Sequence, residues 1–278
     1  MSHKKLIVVN EFELNKILNI VIASSKINSL QINNKKIRPQ LHCIIYGGLG
    51  GAKSEILLEV GRNINNVPTL SFSKANLYGS VDKVTGIHMP PMLWDCRNSC
   101  LLLDDFIFNS RNYKSMEIMQ SLLPLLENPR IVKRVGYRCN EVNEKDNDLH
   151  LKVKNGVIDC KTRFSLIMNT MTDLRRMSSD YINAFVSRCI VIPHYPTLDD
   201  LKRLARNGTF YEFSKLNTKK DVIINNKNYN KILEFVECNM RGSDSYLRTI
   251  GDCCRIFAVL GRHNEEIYKI IIKLHQRP

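Results

Sequence analysis

The stretch Cys43-Ile44-Ile45-Tyr46-Gly47-Gly48-Leu49-Gly50-Gly51-Ala52-Lys53-Ser54-Glu55-Ile56-Leu57-Leu58 decides how this chain is read. Four apolar or aromatic residues, a glycine-rich turn and the start of an apolar helix follow one another, which is the local order of a phosphate-binding loop. The reason is physical. Glycines let successive backbone N–H groups converge on phosphate oxygens, and the helix N-terminus adds favourable partial charge. Lys53 reaches the terminal phosphates and the Ser54 hydroxyl is placed for Mg²⁺, so Gly47, Gly48, Leu49, Gly50, Gly51, Ala52, Lys53 and Ser54 are the expected ATP-binding residues. The one departure from the general pattern is Ala52, where its last glycine stands.

Outward from this loop the chain alternates short apolar runs with helical spacing. Strands are expected at Leu41 to Tyr46, Thr69 to Ser73, Cys100 to Asp104, Phe164 to Met168 and Cys189 to Ile192, with helices at Ser54 to Asn63 and Ser115 to Glu127. That is an α/β core, a parallel sheet covered by helices, assigned to residues 41 to 195. Apolar residues at Leu14, Ile17, Leu18, Val21 and Ile22 predict an amphipathic helix before it, and the polar run Asn28 to Gln40 reads as a linker, so residues 1 to 40 stand apart. After Pro196 the strand signal stops. Helices are expected at Thr197 to Asn207, Tyr229 to Met240, Ser245 to Arg262 and Asn264 to His275, the first capped by Thr197, so 196 to 278 form a smaller helical unit.

Ser99-Cys100-Leu101-Leu102-Leu103 ends in Asp104-Asp105-Phe106. A carboxylate pair at the carboxyl edge of a parallel sheet lies where ligands bind in open α/β folds. Asp104 is expected to hold Mg²⁺ through water, and Asp105 to orient the attacking water.

Composition narrows the partners. The 278 residues are 44% apolar and 24% charged, enough for an ordinary core. Lys and Arg outnumber Asp and Glu by 41 to 27, a formal charge of +14, which favours a polyanion: nucleic acid first, an anionic membrane surface second. No apolar run is long enough to cross a bilayer, and the stretch Leu6 to Val9 is too short for a secretory signal, so a soluble intracellular protein is expected. The nine cysteines form no CxxC pair; Cys96 and Cys100 are too isolated to suggest zinc, and all nine read as reduced thiols, mostly in the core.

Taken together, these motifs resemble the minichromosome-maintenance replicative helicases, a branch of the AAA+ ATPases. That family carries an alanine before the Lys-Ser of its phosphate loop, and Ala52-Lys53-Ser54 matches it. Gly79-Ser80-Val81-Asp82-Lys83-Val84-Thr85-Gly86, leading through Trp94-Asp95 to Leu103-Asp104-Asp105-Phe106, is similar to the family's insert before its Asp-Glu-Phe motif. Phe164 to Met168 with Asn169 resembles the sensor-1 strand, Phe185-Val186-Ser187-Arg188 the arginine finger that reaches a neighbour's ATP, and Tyr246-Leu247-Arg248-Thr249-Ile250 the sensor-2 helix. The resemblance spans about Leu41 to Arg262. It implies an AAA+ core with a helical lid, ATP and Mg²⁺ as ligands, a homo-oligomeric ring of six, and roles for Lys53, Asp104, Asp105, Asn169, Arg188 and Arg248 in catalysis. Alone, Arg188 reads as a surface residue and Arg248 as a helix-face ion-pair partner; their order after the loop is what singles them out. Asp105 stands where the family has Glu, and the family's large N-terminal DNA-binding region has no counterpart here.

Lys152 and Lys154, alternating with apolar residues and followed by Asn155-Gly156, give the strongest hairpin signal in the chain. The segment resembles the family's pre-sensor-1 hairpin, whose lysine enters the central channel, and Lys154 is the matching residue. Lys133, Arg134 and Arg138 precede it, and an acidic run from Glu141 to Asp148 lies between. Contact with DNA through these side chains is expected to be to phosphate. Three functions remain open on the sequence: a ring-forming DNA translocase or helicase motor in replication, an ATP-binding initiator or loader that unwinds nothing, and a remodeller of proteins.

Overall fold

The computed structural model describes residues 11–66, 69, 73–82, 84–108, 113–135, 140–174, 179–207, 216–240, 242 and 245–276, and of Leu204, Ala205 and Asn207 the backbone alone. Lys83, Arg138, Cys139, the run Leu6 to Val9 and most of the expected strand Thr69 to Ser73 therefore lie outside the described residues. The chain opens with α1 (Glu11–Ser24), then β1 (Ser29–Ile32), β2 (Lys35–Ile37), β3 (Cys43–Tyr46) and α2 (Lys53–Ile64). Short elements follow: α3 (Lys74–Tyr78), β4 (Ser80–Val81), β5 (His88–Met89) and α4 (Met92–Asp95). Next come β6 (Ser99–Leu103), α5 (Tyr113–Leu125), β7 (Arg130–Arg134), β8 (Val142–Asp146), β9 (Leu149–Lys154), β10 (Val157–Lys161) and β11 (Phe164–Thr170). The remainder is α6 (Asp180–Val186), β12 (Ile190–Pro193), α7 (Leu198–Asn207), β13 (Asp221–Ile224), α8 (Asn226–Asn239), α9 (Tyr246–Leu260) and α10 (Glu265–His275).

The expected parallel sheet is present, in the order β12-β3-β11-β6, with Thr69 making a further parallel bridge to Leu103 beyond β6. Its strands are buried on both faces, as a parallel sheet covered by helices requires. Side chains alternate across it. Cys43, Ile45, Cys100, Leu102, Ile167, Ile190 and Ile192 enter a core shared with α1, α2, α9 and α10. Ile44, Tyr46, Leu101, Leu103, Leu166, Met168 and Val191 enter the opposite core, with residues of α5 and α6 and the inner face of a second sheet. That second sheet is antiparallel, ordered β7-β10-β9-β8, and feeds directly into β11.

Two features differ from the sequence reading. Asn28 to Gln40 is no linker: β1 and β2 form a hairpin whose turn residues Asn33 and Asn34 both have positive φ, the conformation of a tight two-residue turn. Nor does the strand signal end at Pro196, because β13 pairs in parallel with β1, Ser29 opposite Asp221 through Ile32 opposite Ile224. Helix α1 is also more than amphipathic. From Ile20 to Ser24 every residue is buried, since the sheet lies against this helix together with α9 and α10. The capping expectation for α7 is met: Thr197 Oγ1 accepts from the Asp200 N–H at 3.2 Å, while Asp200 Oδ2 accepts from the Thr197 N–H at 2.8 Å.

Candidate functional site

At the carboxyl edge of the parallel sheet, the loop after β3 folds back over the sheet. Gly47 is required by packing: a Cβ there would lie 2.1 Å from the His194 carbonyl oxygen, because β12 continues alongside and the His194 N–H donates to the Tyr46 carbonyl at 2.8 Å. A Cβ on Gly48 would meet nothing within 4 Å. We expect Gly47→Ala to lower stability by about 1–3 kcal/mol through overpacking and Gly48→Ala to change it by less than about 0.5 kcal/mol. Urea unfolding of the two variants side by side checks this; equal midpoints would refute the packing. Ala52, the apparent departure, has φ 55° and ψ 23°. It occupies the left-handed region that glycine adopts freely, at a cost of about 1–2 kcal/mol for an L-residue.

Lys53 is buried at the first turn of α2, and its ammonium donates to the carbonyls of Gly47 at 3.1 Å and Gly48 at 2.7 Å. Burial lowers its pKa below the usual lysine value, opposed by the charges of Asp105 and Asp104. Three elements then converge. The Ser54 hydroxyl donates to Asp104 Oδ1 at 2.9 Å, and the Asn169 amide donates to the same oxygen at 2.5 Å. Asn169 Oδ1 accepts from the Asp105 N–H at 2.5 Å, and the Asn169 carbonyl accepts from the Phe106 N–H at 3.0 Å. This set forms because β11 sits between β3 and β6, so a polar residue at its end reaches both neighbours. Asp105 itself has φ +49°, a conformation Asp tolerates better than most residues. Hydroxyl and carboxylate oxygens at this edge are the donors a hard divalent cation prefers, so Ser54 and Asp104 fit Mg²⁺ chemically.

His194 belongs with these residues, although no sequence motif singles it out. Its Nε2 lies 2.8 Å from the Gly51 carbonyl, so the proton sits on that nitrogen. Burial pushes the imidazole below its ordinary pKa. Only its place directly after β12 could have pointed to it. Beside β6 a cavity of about 540 Å³ opens onto Asp104 and Asp105, with Lys74 and Lys114 also on its wall.

Arg188 and Arg248 are brought together, but at the opposite edge. Arg188 precedes β12; its Nε donates to Glu127 Oε1 at 2.6 Å and an NH group donates to the Ala184 carbonyl at 2.6 Å. Arg248, on α9, donates to the Cys189 carbonyl and faces Asp252. Both line a cavity of about 300 Å³ with Arg38, His42, Asp252 and Arg255. Burial first, then Arg255, brings the Arg38 guanidinium down to about 9, and burial lowers Arg248 as well. Asp252 opposes them: although burial alone would raise its pKa, His275, Arg255 and Arg248 hold the carboxyl well below the usual range. This cavity adjoins the amino ends of β3, β11 and β12, whereas Lys53 lies beyond their carboxyl ends. A strand of four residues separates the edges by roughly 13 Å, so neither arginine contacts the glycine-rich loop.

The hairpin expected around Lys154 is formed, with Asn155 and Gly156 at φ 50° and 69°. Lys152, Lys154 and Arg134 point to its outer side. Lys133 does not join them: the half-buried side chain donates to the Gly79 carbonyl at 2.8 Å on the inner side. Of the eight cysteines described, all but Cys238 are buried, and burial pushes Cys96 up to about 11 and Cys160 and Cys254 up to about 12. No described helix is long and apolar enough to cross a membrane. No family model and no curated protein matches the chain.

Proposed function

We propose that the chain is an ATP-hydrolysing motor domain of the AAA+ class, resembling the minichromosome-maintenance helicases in its motifs, acting on DNA as a homo-oligomeric ring. The observation that carries this reading is the convergence of Lys53, Ser54, Asp104, Asp105 and Asn169 at one sheet edge from three separate segments of the chain. In it, Lys53 exchanges its loop carbonyls for the terminal phosphates of ATP, and Ser54 and Asp104 hold Mg²⁺, which supplies charge neutralisation on the phosphates. Asp105 orients water for attack, with Asn169 fixing its backbone. The helices after Pro196 serve as the lid, and Arg188 and Arg248 face the nucleotide of the next subunit.

A rise in ATP turnover on adding single-stranded DNA, followed by unwinding of a forked duplex, is the test; turnover indifferent to DNA would remove the motor reading. Asp105 favours a second reading. Its shorter arm, set on a left-handed backbone, suits a slow ATP switch, an initiator or loader that binds DNA without unwinding it. Lys154→Ala separates the two further. In a motor it leaves basal hydrolysis intact, abolishes unwinding, and makes the salt dependence of DNA binding shallower by about 0.7–1 unit.

A further inference from the structure

The antiparallel sheet segregates its charge by face. Strand register places Arg130 and Arg134 of β7, Lys161 of β10, Lys152 and Lys154 of β9, and Lys145 of β8 on the outer side. Asp159 is the carboxylate those strands contribute to the same side, and Arg130 holds it through two bonds of 3.0 and 2.9 Å. The acids of the run Glu141 to Asp148 are largely spent elsewhere. Glu144 and Asp146 alternate with Lys145 onto the inner side, where Glu144 accepts from Trp94 Nε1 at 2.7 Å and Asp146 accepts from the Asn98 amide at 3.1 Å. Asp148, in the β8–β9 turn, binds the buried Arg163 at 2.6 Å and also accepts from Lys161 of the outer face at 3.4 Å. Among the described residues, Arg134, Lys145, Lys152 and Lys154 form no ion pair.

We infer that this whole outer face, not the hairpin turn alone, is a track for the phosphate backbone of single-stranded DNA. Three physical arguments favour that occupant. The side chains of alternate residues on a strand stand about 6.6–6.8 Å apart and neighbouring strands about 4.8 Å apart, so the cations form a grid on which successive phosphates of an extended strand find partners. Val132 on this face is 64% exposed, and the strands contribute no Phe, Tyr or Trp to it, the His150 imidazole lying against Asp159 at 3.2 Å, so contact is to the backbone and not to stacked bases. Finally, a face on which cations outnumber carboxylates holds a positive potential that a polyanion neutralises with release of counterions. The inference rests on the function proposed above for the nature of the polyanion, and not for any ATP chemistry.

The test uses the full chain and a fluorescent mixed-sequence single-stranded DNA, with affinity measured over a potassium chloride series. Arg134→Gln with Lys145→Gln removes cations from the two outermost strands, Arg134 in register with Val157 at the turn end and Lys145 with His150 toward the other end. Lys227→Gln with Lys231→Gln, on exposed positions of α8, removes the same formal charge elsewhere. The face pair is expected to make the slope of log affinity against log salt shallower by about 1.4 units, or about 0.7 for each phosphate left without its cation, and the helix pair to leave it unchanged. Equal losses in both pairs would reduce the effect to net charge and overturn the proposal. Unchanged binding in the face pair alongside a loss in Lys154→Ala would confine contact to the turn, overturning the track while sparing the motor. Failure of the parent to bind at low salt would overturn both. A slope change in the face pair with no ATP turnover in the parent would keep the track and remove the motor.

Discussion

Lys53→Ala is expected to reduce ATP turnover by about 10²–10³-fold or more, the effect of removing one preorganised charge donor from a site where negative charge develops. The ammonium is bound to the Gly47 and Gly48 carbonyls, so in the proposed function nucleotide and loop compete for it. The substitution therefore has a second consequence. Two carbonyls lose their partner, at a cost of about 1 kcal/mol or somewhat more where water cannot replace it, and Tm should fall by about 2–4 °C. Thermal unfolding with and without ATP and Mg²⁺ distinguishes the effects: the parent gains stability from the ligand and the variant gains much less. A folded Lys53→Ala protein hydrolysing ATP at the parental rate would show that the loop is not the catalytic site.

Why the loop could be read from sequence, and other parts could not, follows from how local each feature is. Strand, glycine turn and helix start lie within residues 43 to 58, and every hydrogen bond Lys53 makes is with that same loop. The meeting of Ser54 with Asp104 and Asn169 depends on β11 being inserted between β3 and β6, which no spacing along the chain encodes; only the order of motifs hinted at it. Sheet parity explains the misplacement of Lys133. It is adjacent to Arg134 in sequence, yet a one-residue step sends the side chain to the other face, and here it turns to the Gly79 carbonyl. The strands β1 and β2 are hidden by their polar residues and by distance, since their third partner β13 lies almost two hundred residues on. The helix α1 reads as amphipathic because its first half is so; its second half is buried by α9 and α10, which close over it from the far end of the chain.

The last expectation concerns the arginines at the opposite edge. Arg188 is half-buried, held by Glu127 in a pair open to solvent, and such a pair is worth only about 0–1 kcal/mol, so an incoming phosphate group can displace it. Its cavity also contains Arg38, Arg248 and Arg255 against the carboxylates of Asp252 and Glu127, an excess of positive charge suited to an anion brought from outside the chain. With the sheet's length between this cavity and Lys53, the proposed function combines the loop of one subunit with the arginines of the next, the head-to-tail arrangement that closes into a ring. Arg188→Ala should then lower turnover by roughly 10³-fold or more, the worth of an arginine supplied in trans, while nucleotide binding is retained. Mixing it with Lys53→Ala protein should restore activity, because a junction formed by the intact loop of one variant and the intact Arg188 of the other is whole. Random mixing in equal amounts makes about a quarter of junctions of that kind in a head-to-tail ring, so recovery toward about a quarter of parental turnover is expected. Arg248→Ala should be rescued by Lys53→Ala in the same way, since it shares the cavity. Mixed rings, verified by differently tagged subunits, that show no recovery with either arginine variant would mean that each chain completes its own site and that the arginine cavity serves another anion.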